Sequence, residues 1–577
     1  MKNFKIYIVL VLFAAGSSVS AQETKKVLHQ AMETEISRNL QNLHLAGMKD
    51  PFYIGLNIAD YNNLAIQSSL GTIIRINEYQ NRICYNNQVL VGDYTSNNLN
   101  YTDPKASTYF YRTSVPFPVD NNLNEIQRKL WMTFDNAYKL SAETYESKQS
   151  TLKSKPLTED MAGLPDYTKG EKVLIEKAEN SLKFASDKLI QYANDISLTL
   201  KPYKYLTTSW VRIVAYKGNI YYSNSEGTKA TYPVSLLRVV VNVETQGENG
   251  ELFEQYQIYH SLNETDLPSK EQVIKDAKIL ADNVLELKNA PAFDDVYTGP
   301  VLFEDQAATE TMRKTMFYSK NENLYSARKP VVGGTTGNSP VTQNVLSTED
   351  RIDKKVASDG LNVKDKTGMQ VYNGTQLIGS YPIDMEGVVP SPETILIENG
   401  VLKNLLCGRI PTSKMKTSNG HLRIPLNFPN PLIVPGVIEV DYNNSITREE
   451  LRKKLIEMAQ SEGLDYALIV REMTPNMSEL RRVYKVDVKT GKEQLVRSVG
   501  FKGLTMNDLR KIVGASKQKR VLNTTAGEDI QHKFDYLSGC PATFITPDAF
   551  LFKDLEISKS VKAIMTRVPV VKNPAEL

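Results

Sequence analysis

The chain has 577 residues, 41% hydrophobic and 23% charged, with a formal net charge of +3. That length exceeds one ordinary core and implies two or more domains, and the composition excludes a disordered chain. Lys2 and Lys5 fall in an N-terminal leader, so the mature chain carries about +1, too little for an electrostatic grip on nucleic acid. Residues 1–21 start basic, run apolar from Ile6 to Ala15 and end Val19-Ser20-Ala21. This is the pattern of a secretory signal peptide cleaved after Ala21, and it predicts a periplasmic or secreted protein. The apolar run is too short to span a bilayer comfortably, and no other segment reads as transmembrane.

Past the leader, Leu28, Met32, Ile36, Leu40 and Leu43 mark an amphipathic helix over 24–45, with His29 on its polar side. Three alternating strands follow, at 52–59, 63–76 and 82–92, separated by Asn- and Asp-containing turns. Helices are expected over 121–147 and 171–198, with an exposed connection between them. Strands come next at 208–216, 219–223 and 232–244, and a hairpin turns around Gly247–Gly250. Ser269 and Gln272 form a capping pattern that opens another helix. Asp294-Asp295-Val296-Tyr297 then approaches as a strand, a Gly299-Pro300 turn follows, and a helix is expected over about 302–314. Its first turn would present free N–H groups and the carboxylate of Glu304.

The region 319–375 is irregular and polar. Its Gly333-Gly334-Thr335-Thr336-Gly337 run lacks the Gly-Lys-Ser/Thr ending of a phosphate loop. Thr447 and Glu450 cap a helix reaching about Ser461, and strands at 466–472, 482–489 and 493–499 follow. A helix over 506–513 and strands at 521–525, 542–545 and 551–557 close the chain. Helices mixed with antiparallel hairpins give an α+β class. Thirty tyrosines against two tryptophans fit strands with half-buried faces. Three cysteines, Cys84, Cys407 and Cys540, leave at least one thiol unpaired in an exported chain.

Five segments, in order, resemble the TldD/PmbA family, whose members were once called modulators of DNA gyrase. They are Tyr222–Thr228, Tyr297–Glu304, Gly379–Val388, Leu396–Leu402 and Ser418-Asn419-Gly420-His421. The resemblance runs through most of the mature chain and is closest to exported relatives with an enlarged first half. It implies antiparallel sheets with packed helices in an N-terminal domain (22–205, with an enlarged helical insertion) and a larger second domain (206–577). It also implies zinc peptidase chemistry in active members. There a His-Glu-x-x-x-His helix and a later cysteine hold the metal, and the Glu takes a proton from bound water.

On this chain the resemblance puts the first His at Phe303, the Glu at Glu304 and the second His at Ala308. Only the carboxylate remains, so no zinc is expected. Cys540 lies roughly where the ligand cysteine would be, at a shorter spacing, and reads equally as a free thiol. No two of the five histidines (His29, His44, His260, His421, His532) lie within one helical turn of each other. His421 and Asn419, in the Ser-Asn-Gly-His turn, and the carboxylates Asp384 and Glu386 are candidates for contact with substrate or lining of a cavity. The competing readings are a hydrogen-bonded loop histidine and a turn held by side-chain bonds.

The expected function is therefore a catalytically degenerate, exported member that binds peptides or partners a TldD-like sister subunit in a homo- or heterodimer. One alternative is an active peptidase with a non-standard site, perhaps built on Cys540 or His421. The other is a stand-alone periplasmic binding or structural homodimer.

Overall fold

The computed structural model describes residues 23–102, 114–154, 157, 163–248, 250–318, 323–333, 348–426, 431–474, 479–527 and 537–560. The expected leader, His532 and most of the Gly333–Gly337 run lie outside them.

The first described helix, α1, covers 23–42. It is followed by β1 (Pro51–Ser69), β2 (Thr72–Val91), β3 (Ser114–Pro116), α2 (Leu123–Ser154), β4 (Leu174–Glu176) and α3 (Ser186–Leu198). Then come β5 (Thr208–Asn224), β6 (Lys229–Gln246), β7 (Leu252–Ser261) and α4 (Lys270–Asn289). The strands form one sheet in the order β3-β2-β1-β5-β6-β4, with β7 also on β6. The three short strands expected before residue 92 are thus two long ones. Asn62 and Asn63 do not turn the chain: Asn62 Nδ2 donates across the ladder to Glu78 Oε1 at 2.8 Å. The reversal comes at Leu70-Gly71, both at positive φ. β5 likewise runs unbroken through Gly218, where a Cβ would lie 2.1 Å from the Asp60 carbonyl oxygen of β1. The expected 171–198 helix shortens to α3, and part of its first half is β4, parallel to β6. β5 pairs directly with β1, so this sheet crosses the expected division at residue 205.

Alternation along the strands gives the sheet two unlike faces. On one, Ile54, Leu56 and Ile58 pack against α1 and α2, while Val211, Ile213 and Ala215 pack against α3 and α4. On the other, Tyr61, Tyr85, Tyr216, Tyr222 and Tyr232 meet Ile378, Ile383 and Leu426 from the later half. Five of the thirty tyrosines therefore lie along a seam between the two halves.

β8 (Val296–Glu304) and α5 (Asp305–Phe317) open the later half. They lead to β9 (Leu361–Asp365), β10 (Thr394–Glu398), β11 (Val401–Leu402), β12 (Val437–Tyr442) and α6 (Arg448–Ser461). The remaining strands are β13 (Tyr466–Met473), β14 (Glu479–Asp487), β15 (Glu493–Val496), β16 (Val499–Gly500), β17 (Ile512–Ala515), β18 (Lys519–Ala526), β19 (Cys540–Pro547) and β20 (Ala549–Lys559). One sheet runs β11-β10-β9-β12-β19-β18. The other runs β13-β8-β20-β16-β14-β15, with β17 also on β20, and closes on itself because β13 pairs with β14 as well. The class is α+β, as expected.

α5 lies between these two sheets, and every residue from Ala307 to Phe317 is buried. Its polar side chains find partners inside: Glu310 pairs with Arg313 at 3.0 Å, and Thr309 bonds Thr546 at 2.9 Å. α6, held by a complete capping box of Thr447 and Glu450, covers the outer face of the closed sheet with Leu451 and Leu455.

Candidate functional site

The strand-to-helix junction at residues 298–310 differs from its sequence reading in two ways. Gly299 and Pro300 make no turn; they continue β8. Proline has no N–H for a ladder, and Pro300 sits where both ladders lapse. β13 pairs with β8 only from Val301 onward, and β20 bulges between Phe552 and Leu555 on the other side. The helix then starts at Asp305, not Leu302, because Leu302, Phe303 and Glu304 are paired as strand on both flanks or one. Asp305 takes φ +55°, donates its N–H to the Asp548 carbonyl at 2.9 Å, and holds Arg448 at 2.6 Å.

Strand alternation separates the motif positions. Phe303 is fully buried, its ring centroid 5.5 Å from that of Phe552 and 6.0 Å from that of Phe501. Glu304 takes the opposite side, where its Oε2 accepts from Arg471 Nε at 3.0 Å, and Arg471 reaches on to Glu493. Ala308, in the first turn of α5, is fully buried. Cys540 opens β19, and burial pushes its thiol up to about 11. Phe303, Ala308 and Cys540 share one apolar cluster. Carbon side chains offer no lone pair, the thiol keeps its proton at neutral pH, and Glu304 is engaged by Arg471. This set does not fit zinc. Among the described residues, no group of three His, Cys, Asp or Glu side chains is placed to hold a metal.

The other candidates do converge, on the tyrosine seam. The 382–388 turn is wound around Asp384, whose Oδ1 accepts from the N–H groups of Glu386 and Val388, both at 2.9 Å. Gly387, at φ +83°, lies where a Cβ would press 2.8 Å against the Tyr222 ring. Met385 donates its N–H to the Leu422 carbonyl, which lays the turn along the 421–423 segment. Glu386 Oε2 accepts from the Arg409 N–H at 2.7 Å. The Arg409 guanidinium grips Glu226 with two bonds, of 2.9 and 2.7 Å, and stacks 4.2 Å over Tyr167. Burial pushes Asp384 well above the usual carboxylate range, with the charge of Glu386 adding to it, and burial also raises Glu386. Burial works the same way on Glu226, but Arg409, the Gly170 N–H and the Tyr94 hydroxyl outweigh it and hold Glu226 low.

His421 is fully buried, with Nδ1 2.9 Å from Asn419 Oδ1 and Nε2 3.2 Å from Asp365 Oδ2. Asn419 in turn accepts from the Cys407 N–H and donates to the Leu405 carbonyl, both at 2.8 Å. Asp365 is held low: burial alone would raise it, but His421, Thr367 and the Gly436 N–H together prevail. Neither His421 nor Asn419 lines the two nearby cavities, one on the seam and one within the later half. One cavity, of about 300 Å³, is lined by Tyr216, Tyr232, Asp384 and Arg423. The other, of about 500 Å³, is lined by Tyr318, Tyr325, Glu386 and Arg409.

Sequence reasoning missed Arg409, Asp365 and Arg423. Arg409 and Arg423 are isolated charges, Asp365 stands between Lys364 and Lys366 with nothing to set it apart, and Arg409 meets Glu226 across 183 positions. Glu226 stands within one of the resemblance segments but gave no signal of its own. His29, expected on a polar helix face, is 3% exposed and lies 2.7 Å from Thr231 Oγ1.

Residues 297–559 match the family model described as PmbA/TldA metallopeptidase C-terminal domain. No curated protein matches the chain. Among solved structures, TldE from Thermococcus kodakarensis is similar over 92% of this chain and 100% of its own, at 12% identity and a TM-score of 0.55. A modulator of DNA gyrase from Thermotoga maritima matches over 92% and 99%, at 13% identity and a TM-score of 0.56. A counterpart from Bacteroides thetaiotaomicron matches over 93% and 98%, at 12% identity and a TM-score of 0.53. At such identities these likenesses speak for the fold.

Proposed function

The chain belongs to the TldD/PmbA family, and from that premise we propose that it acts without zinc, as an exported peptide-binding or partner subunit of a metallopeptidase system. The observation that carries this reading is the position of Phe303. Its ring is fully buried in the apolar cluster that also holds Ala308, while Glu304 is tied to Arg471 on the other side of β8. A water-activating site needs donors around an open position, and here the corresponding space is filled by carbon. The later half and its seam supply what a binding subunit needs instead: two cavities flanked by buried charge, one on the seam and one within the later half. No described helix is long and apolar enough to cross a membrane.

An active hydrolase built on Asp384 and Glu386 has less support, because the two acids line different cavities. Metal analysis and peptide cleavage by the purified full chain test the proposal. The expected result is far less than one zinc per chain and no chelator-sensitive cleavage, with a His-Glu-x-x-x-His sister protein co-purifying from the native host. Stoichiometric zinc together with cleavage abolished by chelator would overturn it.

A further inference from the structure

We propose that the seam cavity is a binding site for a small apolar carboxylate, with the Arg423 guanidinium as the anion's partner. The cavity holds about 300 Å³, space for a ligand of one or two amino-acid residues. Its walls are largely apolar and aromatic, including Tyr216, Ile220, Tyr232, Ile383 and Leu426. Arg423 is 9% exposed. Its Nη1 donates to the carbonyls of Pro435 at 3.1 Å and Pro541 at 2.8 Å, and its guanidinium lies 4.0 Å over the Tyr381 ring. These contacts fix the plane of the group without neutralising it.

Three other buried arginines of the chain have a carboxylate: Arg82 has Asp60, Arg313 has Glu310 and Arg409 has Glu226. Arg423 forms no ion pair among the described residues. A buried guanidinium lacking a counter-charge, at the wall of an apolar cavity, suits a carboxylate that carries a hydrophobic body. Asp384 adds a second fixed point on the same lining. It is 1% exposed, and its Oδ2 has no hydrogen-bond partner while Oδ1 is saturated by the turn. With its proton retained, that oxygen can donate to a ligand instead of repelling it.

Two sources share this chemistry: the C-terminal residue of a peptide and a free aliphatic or aromatic acid. The peptide source rests on the peptide-binding reading above; the free-acid source does not. Calorimetric titration of the full chain with N-acetyl-Leu-Phe, its C-terminal amide and 3-phenylpropionate distinguishes them. The peptide acid is expected to bind at least about tenfold more tightly than the amide, the worth of one charge-assisted contact. Arg423→Met should erase that difference, and Arg423→Lys should keep part of it. The acid–amide comparison on the unaltered chain decides the matter even if Arg423→Met does not fold. Binding of 3-phenylpropionate without the peptide acid would support the site and count against the peptide source. Equal binding of acid and amide, or no saturable binding of either acid at millimolar concentration, would overturn the proposal and leave the zinc and partner tests untouched.

Discussion

Arg409 shows how much of the seam rests on one side chain. It satisfies Glu226 with its guanidinium, Glu386 with its backbone N–H, and the Thr168 carbonyl with Nε at 3.0 Å. Removing its charge leaves a buried carboxylate uncompensated, a change that costs about 3–5 kcal/mol. Arg409→Met is expected to lower the denaturant midpoint accordingly, and adding Glu226→Gln should recover part of the loss because the orphaned charge is then gone. Retention of the wild-type midpoint in the single variant would count against this account. At this scale the sequence was half legible. Asp384 and Glu386 stood out as a spaced pair, and the turn reading of Asp384 matches its bonds to the Glu386 and Val388 N–H groups. Arg409 and Asp365 could not be found, since their significance comes only from partners brought together by folding.

The junction of β8 and α5 belongs to the next scale. Its residues were visible, but their assignment was displaced. Val301, Leu302 and Phe303 are an apolar run that periodicity alone cannot divide between helix and strand. The neighbours β13 and β20 settle it, and they lie far along the chain. The same tertiary override explains why α5 is polar in sequence yet buried from Ala307 to its end. Phe303 is the plug of this junction, packed between Phe501 and Phe552. Phe303→Ala is expected to cost about 3–5 kcal/mol, read from urea or guanidinium unfolding. A loss under 1 kcal/mol would mean that the position tolerates a cavity, and with it a metal-binding substitution, more readily than the packing indicates. Capping patterns are local and survive folding: Thr447 with Glu450 forms the full box, and Ser269 accepts from the Gln272 N–H.

For the molecule as a whole, acid should act first through His29. Its ring bonds Thr231 and stands 3.3 Å from Ser223 Oγ, so it ties α1 to the first sheet. Burial, followed by the nearby charges of Lys229 and Lys25, brings its pKa down to about 3. The folded chain therefore keeps the imidazole neutral, while the unfolded chain takes a proton below about 6.5. The stability linked to this group is complete above the unfolded value and is lost progressively as pH falls toward 3. Equilibrium unfolding at pH 7 and pH 4.5 should show a drop that His29→Gln reduces; an equal drop in both proteins would place the acid sensitivity elsewhere. The α+β class and the order of most elements were legible because alternation and helical periodicity survive in the sequence. The joining of residues on either side of 205 into one sheet was not, since strand pairing leaves no local trace.

That sheet has a kinetic consequence. β1 is flanked by β2, reached through a tight turn, and by β5, which begins only at Thr208. A hairpin can form as soon as the first strands exist, but its second edge waits for a stretch of chain that includes α2 and α3. Closing so large a loop before any contact rewards it is the slow step of non-local topologies. Until then, Ile54 to Ile66 present a long strand rich in Ile and Leu with one unpaired edge, the kind of surface that recruits other chains. Chaperone occupancy and aggregation during refolding should therefore concentrate on this hairpin, and protection of its amides from hydrogen exchange should lag behind that of the closed sheet around α5.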